Sequence, residues 1–176
     1  MAVMTALSVI LVALLHLPIF PAVSFLEYDL ADVPILICGF AFGPWAGLAV
    51  TAVAAFIQGS TVSAESGIYG ILMHLLATGA YVCVAAALYR RRSTKKGAVA
   101  ALLCGALTMT VLMFGANLVV TPYFMLGAVN RETVSVVLSL MPWILAFNLV
   151  KAGINGIITF FVYKRISNLL RRLEVK

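Results

Sequence analysis

The sequence predicts an all-α integral membrane protein, a compact bundle of six transmembrane helices in a single domain, and three observations carry that reading. Of 176 residues, 64% are hydrophobic and only 10% charged, against about 45–50% and about 25% in soluble globular domains. The basic residues collect where apolar runs end. At about 20 residues per span, the apolar and glycine content leaves room for no more than six crossings.

The first span covers about residues 1–17 and is closed by Pro18 and Pro21, which a regular helix does not accommodate. It has no basic n-region and no small-residue cleavage site before His16 and Pro18, so no signal peptide is expected. His16 itself reads as an interfacial residue. Residues 18–31 form an outer loop. Asp32 then stands directly before an apolar run with Pro34 in its first turn, the pattern of an N-cap.

Apolar runs over 33–43 and 44–58 are separated by Gly43-Pro44, which either kinks one long helix or turns between two short ones. Parity selects the turn. With six spans the Arg90–Arg92 cluster and the C-terminal tail fall on the same side, as the positive-inside rule requires. The remaining spans are 68–90, ended by Arg90, Arg91, Arg92, Lys95 and Lys96; 97–121, ended by Pro122; and 142–163, followed by Lys164, Arg165, Arg171, Arg172 and Lys176. Ten of the twelve basic residues are then cytoplasmic, Arg131 and Lys151 excepted, and both termini lie inside. Five of the six acids, Glu27, Asp29, Asp32, Glu65 and Glu132, lie outside.

Two outer connections, 18–31 and 122–141, carry Phe20, Phe25, Leu26, Tyr28, Tyr123, Phe124 and Met125, too apolar for loops bathed in water. They are expected to form a lid over an outward-facing pocket. Cys38, Cys83 and Cys104 have no CxxC spacing and read as small core residues, with no metal site.

Polar side chains within a span are costly and face the bundle interior. Asn148, Lys151, Asn155 and Thr159 recur at steps of 3, 4 and 4, on one face of the last span. They form either an interhelical hydrogen-bond seam or the lining of a site for a polar planar ligand. Asn117, with Thr121 one turn later, lies at matching depth in the preceding span. Carboxamides donate and accept while an ammonium only donates, so the set suits a heterocycle with alternating C=O and N–H edges. No carboxylate is expected within reach of Lys151. Its expected partners are Asn148, a backbone carbonyl, water and a ligand acceptor, and removing its charge is expected to leave the fold intact. The absence of acids from the span cores also argues against a proton relay or a cation pump.

The 58–70 connection offers the hydroxyls of Ser60, Thr61, Ser63 and Ser66, either a solvated turn or contacts to a polyol tail. Ser66 and His74, eight residues apart, are separated by about 12 Å along a helix, so they make no catalytic dyad. Small residues at i, i+4 mark close helix approach at Gly43/Gly47, Ala152/Gly156 and Ala2/Ala6.

Six short spans, Ala2-Val-Met-Thr-Ala6, the segment from Phe25 to Pro34, the Gly43-Pro44 break, Asn148-Leu-Val-Lys151 and Tyr163-Lys-Arg165 together resemble the S components of energy-coupling-factor vitamin transporters, most of all the riboflavin-specific ones. The likeness runs along essentially the whole chain. It implies a non-catalytic, substrate-binding subunit of a bacterial plasma membrane importer, without a cofactor of its own and without nucleic-acid binding. Such a subunit works with a coupling transmembrane subunit and two cytoplasmic ATPase subunits. The resemblance further implies riboflavin binding by Asn117, Asn148 and Lys151, closure of the first outer loop with Leu26 and Tyr28, and docking of the coupling subunit on Ala2 and Ala6. Asn155 and Thr121 complete the expected substrate-binding set. The short basic stretch that usually precedes the family's first AxxxA is not present here. An S component for another vitamin or for FMN is the alternative. An autonomous carrier would show matched broken helices in two halves, and an enzyme would need a nucleophile–base or metal set; the chain shows neither pattern.

Overall fold

The computed structural model describes residues 1–174, with side chains to residue 165. The expected basic residues Arg171, Arg172 and Lys176 lie outside the described side chains. Among the described residues six α-helices follow in order: α1 (Ala2–Leu14), α2 (Asp32–Phe42), α3 (Pro44–Ser60), α4 (Gly67–Arg91), α5 (Lys95–Leu126) and α6 (Arg131–Glu174). The segments Ala64–Arg91, Lys95–Leu126 and Arg131–Arg165 are long and apolar enough to cross a membrane. Large apolar side chains such as Trp45, Ile68 and Val111 are exposed, the outward face expected of a bundle dissolved in lipid.

Beyond Asp32, α2 is apolar on every side, and nine of its eleven residues are buried, which makes it a core element and not a surface one. The Gly43-Pro44 break is a turn between two helices. Gly43 has φ +97°, a region open to glycine but not to side-chain-bearing residues, and Pro44 starts α3 with its φ already helical. Gly39 and Gly47 let α2 and α3 close on α4, since a Cβ at either would collide with Val82 Cγ2. Gly47 therefore packs against Gly39, and Gly43 serves the turn. Tyr81 of α4 is fully buried and donates to Ala152 O at 2.9 Å. Its ring and hydroxyl occupy space left free by Gly105 of α5 and Gly156 of α6.

The α2–α3 turn, where Arg90 reaches Gly43, shares one end of the bundle with a ring cluster in which Phe40 stacks on Tyr89 and Tyr163 meets both edge-on. The exposed Arg90, Arg91, Arg92, Lys95 and Lys96 cluster around the short α4–α5 connection at that end, and Thr94 caps α5 by accepting from Gly97 N at 3.0 Å.

Four sequence expectations change. The first helix stops at Leu14, and His16–Leu17 (β1) pairs antiparallel with Tyr28–Asp29 (β2), in register His16↔Asp29 and Leu17↔Tyr28. Leu17 precedes a proline, which disfavours helical backbone there. Asp32 is not the N-cap: Ala31 holds that position and Asp32 lies buried in the first turn. The expected 122–141 loop is mostly helix. Pro122 and Pro142 sit inside α5 and α6, and only residues 127–130 connect them, because each proline forfeits one backbone bond that the surrounding apolar helix tolerates. Gly127 in the left-handed region ends α5, and Asn130 and Thr133 exchange backbone-to-side-chain bonds of 2.9 Å to start α6. Of the cysteines only Cys38 is a core residue; Cys83 is half-buried and Cys104 is exposed on α5.

Candidate functional site

A cavity of about 150 Å³ lies between α3, α4, α5, α6 and the segment joining α1 to α2. Its apolar walls include Leu26, Met73, Met109, Met113, Phe124 and Phe147. Four polar side chains reach it from α5 and α6: Asn117, Thr121, Asn148 and Lys151. Helical periodicity sets this convergence, because a step of three or four residues returns to the same face. Asn117 Nδ2 donates to Met113 O at 2.7 Å, and its Oδ1 accepts from Thr121 Oγ1 at 2.7 Å. Asn148 Nδ2 donates to Ile144 O at 2.8 Å. Each carboxamide keeps one N–H unused, and Asn148 keeps its acceptor oxygen as well.

Lys151 is buried and donates from Nζ to Asp29 Oδ2 at 2.8 Å. This corrects the expectation that no carboxylate reaches it. The β1–β2 pairing turns Asp29 inward, and Ala31 N holds its other oxygen at 2.8 Å. Burial would push the Asp29 carboxyl up, but the Lys151 ammonium and the Ala31 N–H hold it below the usual carboxylate range. One Nζ–H is committed, leaving two for a ligand acceptor. A second acid, Asp32, accepts from Thr78 Oγ1 at 2.7 Å and from Asn155 Nδ2 at 3.0 Å.

The segment between α1 and α2 covers this end of the bundle. Phe20 packs on Trp143 with ring centroids 5.9 Å apart, and Phe25 on Phe124 at 6.3 Å. Val23 is buried with Val137, Met141 and Ile144. Phe25, Leu26, Glu27 and Asp29 of the same segment line the cavity.

A family model described as ECF transporter, substrate-specific component, matches residues 1–163. The chain belongs to this family. It is a transporter subunit of the membrane, and its family is not one of enzymes. This S component is 26% identical over 159 residues to the riboflavin transporter FmnP of Bacillus subtilis (strain 168), covering 88% of this chain and 83% of that one. It is likewise 26% identical over 160 residues to the riboflavin transporter RibU of Staphylococcus aureus (strain TCH60), covering 85% and 79%. A solved structure of the S component of a bacterial ECF transporter superposes with a TM-score of 0.80 at 25% identity, over 96% of this chain and 94% of the other.

Of the residues expected to contact ligand in this S component, Asn117, Thr121, Asn148, Lys151 and Leu26 line the one cavity, whereas Tyr28 and Asn155 do not. Tyr28 donates to Asn155 Oδ1 at 3.1 Å, and Asn155 Nδ2 donates to Asp29 O at 3.0 Å as well as to Asp32. Every hydrogen-bonding end of Asn155 is thus spent on anchoring the first connection and the start of α2. Thr159, the fourth residue of the stripe, is also buried away from the cavity. In the 58–70 segment, Ser63 and Ser66 face the cavity, while Ser60 and Thr61 turn back to Phe56 O and Ile57 O.

Asp29 and Asp32 are the residues sequence reasoning missed. A signal was present: a lysine deep in a span needs a counter-charge or water, and the first outer loop offers two aspartates three residues apart in an apolar setting, Tyr28-Asp29-Leu30-Ala31-Asp32-Val33. Ala2 and Ala6 are exposed on α1, beside an apolar groove between α1 and α3 lined by Val9, Ile10, Val50, Val53 and Ile57.

Proposed function

We propose that this S component captures riboflavin in the cavity beneath the segment that joins α1 to α2. The observation that carries the reading is the convergence of Asn117, Asn148 and Lys151 on a cavity otherwise walled by methionine and aromatic side chains. Amide and ammonium donors meet the ring carbonyls, the Asn148 oxygen meets the ring N–H, and the apolar walls take the ring faces. Two relatives that carry the riboflavin transporter name support this ligand over other vitamins. The segment 18–31 serves as the lid, and riboflavin is cargo, not cofactor.

In this reading the basic end of the bundle faces the cytoplasm, both termini lie inside, and six helices cross the bacterial plasma membrane. Energy comes from two cytoplasmic ATPase subunits through a coupling transmembrane subunit that docks on the α1 face bearing Ala2 and Ala6. The purified protein, titrated with riboflavin without ATP, should quench flavin fluorescence. Calorimetric binding of thiamine or biotin with no response to riboflavin assigns the cavity to another vitamin.

A further inference from the structure

Three buried side-chain atoms among the described residues have no hydrogen-bond partner: Gln58 Oε1, His74 Nε2 and Thr159 Oγ1. Gln58 and His74 both line the cavity, and Thr159 does not. Buried polar atoms are rarely left unpaired, because each then forfeits its bonds to water with nothing in exchange. An unpaired atom at the wall of a binding cavity is therefore a demand placed on whatever enters. Gln58 belongs to α3 and His74 to α4, whereas Asn117 belongs to α5 and Asn148 and Lys151 to α6; His74 is still within electrostatic reach of Lys151 and Asp29.

We propose that Gln58 and His74 form a second polar subsite that binds the hydroxyl groups of the ligand's polyol tail. Gln58 Oε1 accepts only, so it calls for a donor. An imidazole nitrogen donates or accepts according to its tautomer. A hydroxyl does both, and so answers either residue, while a bare ring carbonyl satisfies only one of them. Ser63 and Ser66 line the same part of the segment and extend the hydroxyl-matching surface. The position of Gln58 is fixed at the end of α3, where its backbone oxygen accepts from Ser63 N at 2.9 Å and Thr61 N at 3.2 Å. The subsite rests on the flavin reading above and divides the ligand between two walls: ring to α5–α6, tail to α3–α4.

The test titrates parent, Gln58→Leu and His74→Leu with riboflavin and with lumiflavin, which keeps the ring system and carries a methyl group in place of the tail. The parent should prefer riboflavin. Each variant should lose about tenfold or more in riboflavin affinity with lumiflavin affinity unchanged, and His74→Gln, which retains hydrogen-bonding capacity, should recover part of the loss. Unchanged riboflavin affinity in both leucine variants, equal losses for both flavins, or a parent indifferent to the tail each overturns the subsite. A parent that binds neither flavin overturns the flavin reading, and the subsite with it. Should a leucine variant fail to fold, Gln58→Met and His74→Gln give the same comparison, with a loss confined to riboflavin expected for Gln58→Met.

Discussion

Lys151→Met separates the two tasks that Lys151 performs. Its Nζ lies 2.8 Å from Asp29 Oδ2, and the two side chains are only 9% and 4% exposed. At an effective dielectric constant of about 20, charges at that distance attract by about 6 kcal/mol, much of which offsets the desolvation of both ions. Removing only the cation strands a buried carboxylate whose Oδ2 then has no protein donor. The expected cost is about 3–5 kcal/mol, so the variant is destabilised and the first connection loosened, contrary to what the sequence alone suggests. Asp29→Asn/Lys151→Met removes both charges and should recover most of the lost stability. The assay is a double-mutant cycle by chemical denaturation in detergent micelles. Additivity of the two single changes within about 0.5 kcal/mol would refute the pairing. Flavin affinity should fall about ten- to over a hundredfold in both the single and the double variant, since neither restores a charged donor.

Three further outcomes are expected. The depressed Asp29 value means its contribution to stability is complete above its unfolded pKa of about 3.9 and is lost as pH falls through the lower folded value; melting curves from pH 6 to pH 3 should show a fall that Asp29→Asn reduces. Gly47→Ala places a methyl group against Val82 and Gly39 and should cost about 1–3 kcal/mol by overpacking, read in the same denaturation assay. Ala6→Leu, on an exposed face, should leave flavin binding intact while abolishing vitamin uptake and pull-down of the coupling subunit; normal uptake removes α1 from the docking surface.

The helices were legible because membrane burial writes itself locally: long apolar runs, charge clusters at their ends, a Gly-Pro turn. The polar stripe on α6 was legible for the same reason, since periodicity places Asn148, Lys151 and Asn155 together without reference to the rest of the fold. What the stripe does was only partly legible. Lys151 and Asp29 are 122 residues apart, and no local pattern announces a pairing set by how a connecting segment folds back. The same holds for Tyr28 and Asn155. Proline was read too strictly: Pro122 and Pro142 end no helix, because their apolar neighbours gain more from continuing than the helix loses in one bond.

The brevity of α1 has a consequence for the surrounding lipid. Thirteen residues extend about 20 Å, whereas the hydrocarbon layer is about 30 Å thick. On the α1 side of the proposed bundle the bilayer must therefore pinch inward, or admit headgroups, over several ångströms. That deformation costs fractions of a kcal/mol per ångström, and it is relieved when another protein displaces the distorted lipid. Helix length alone thus pushes the α1 flank toward a protein neighbour. A thicker bilayer should strengthen that push and a thinner one relax it, with every side chain unchanged.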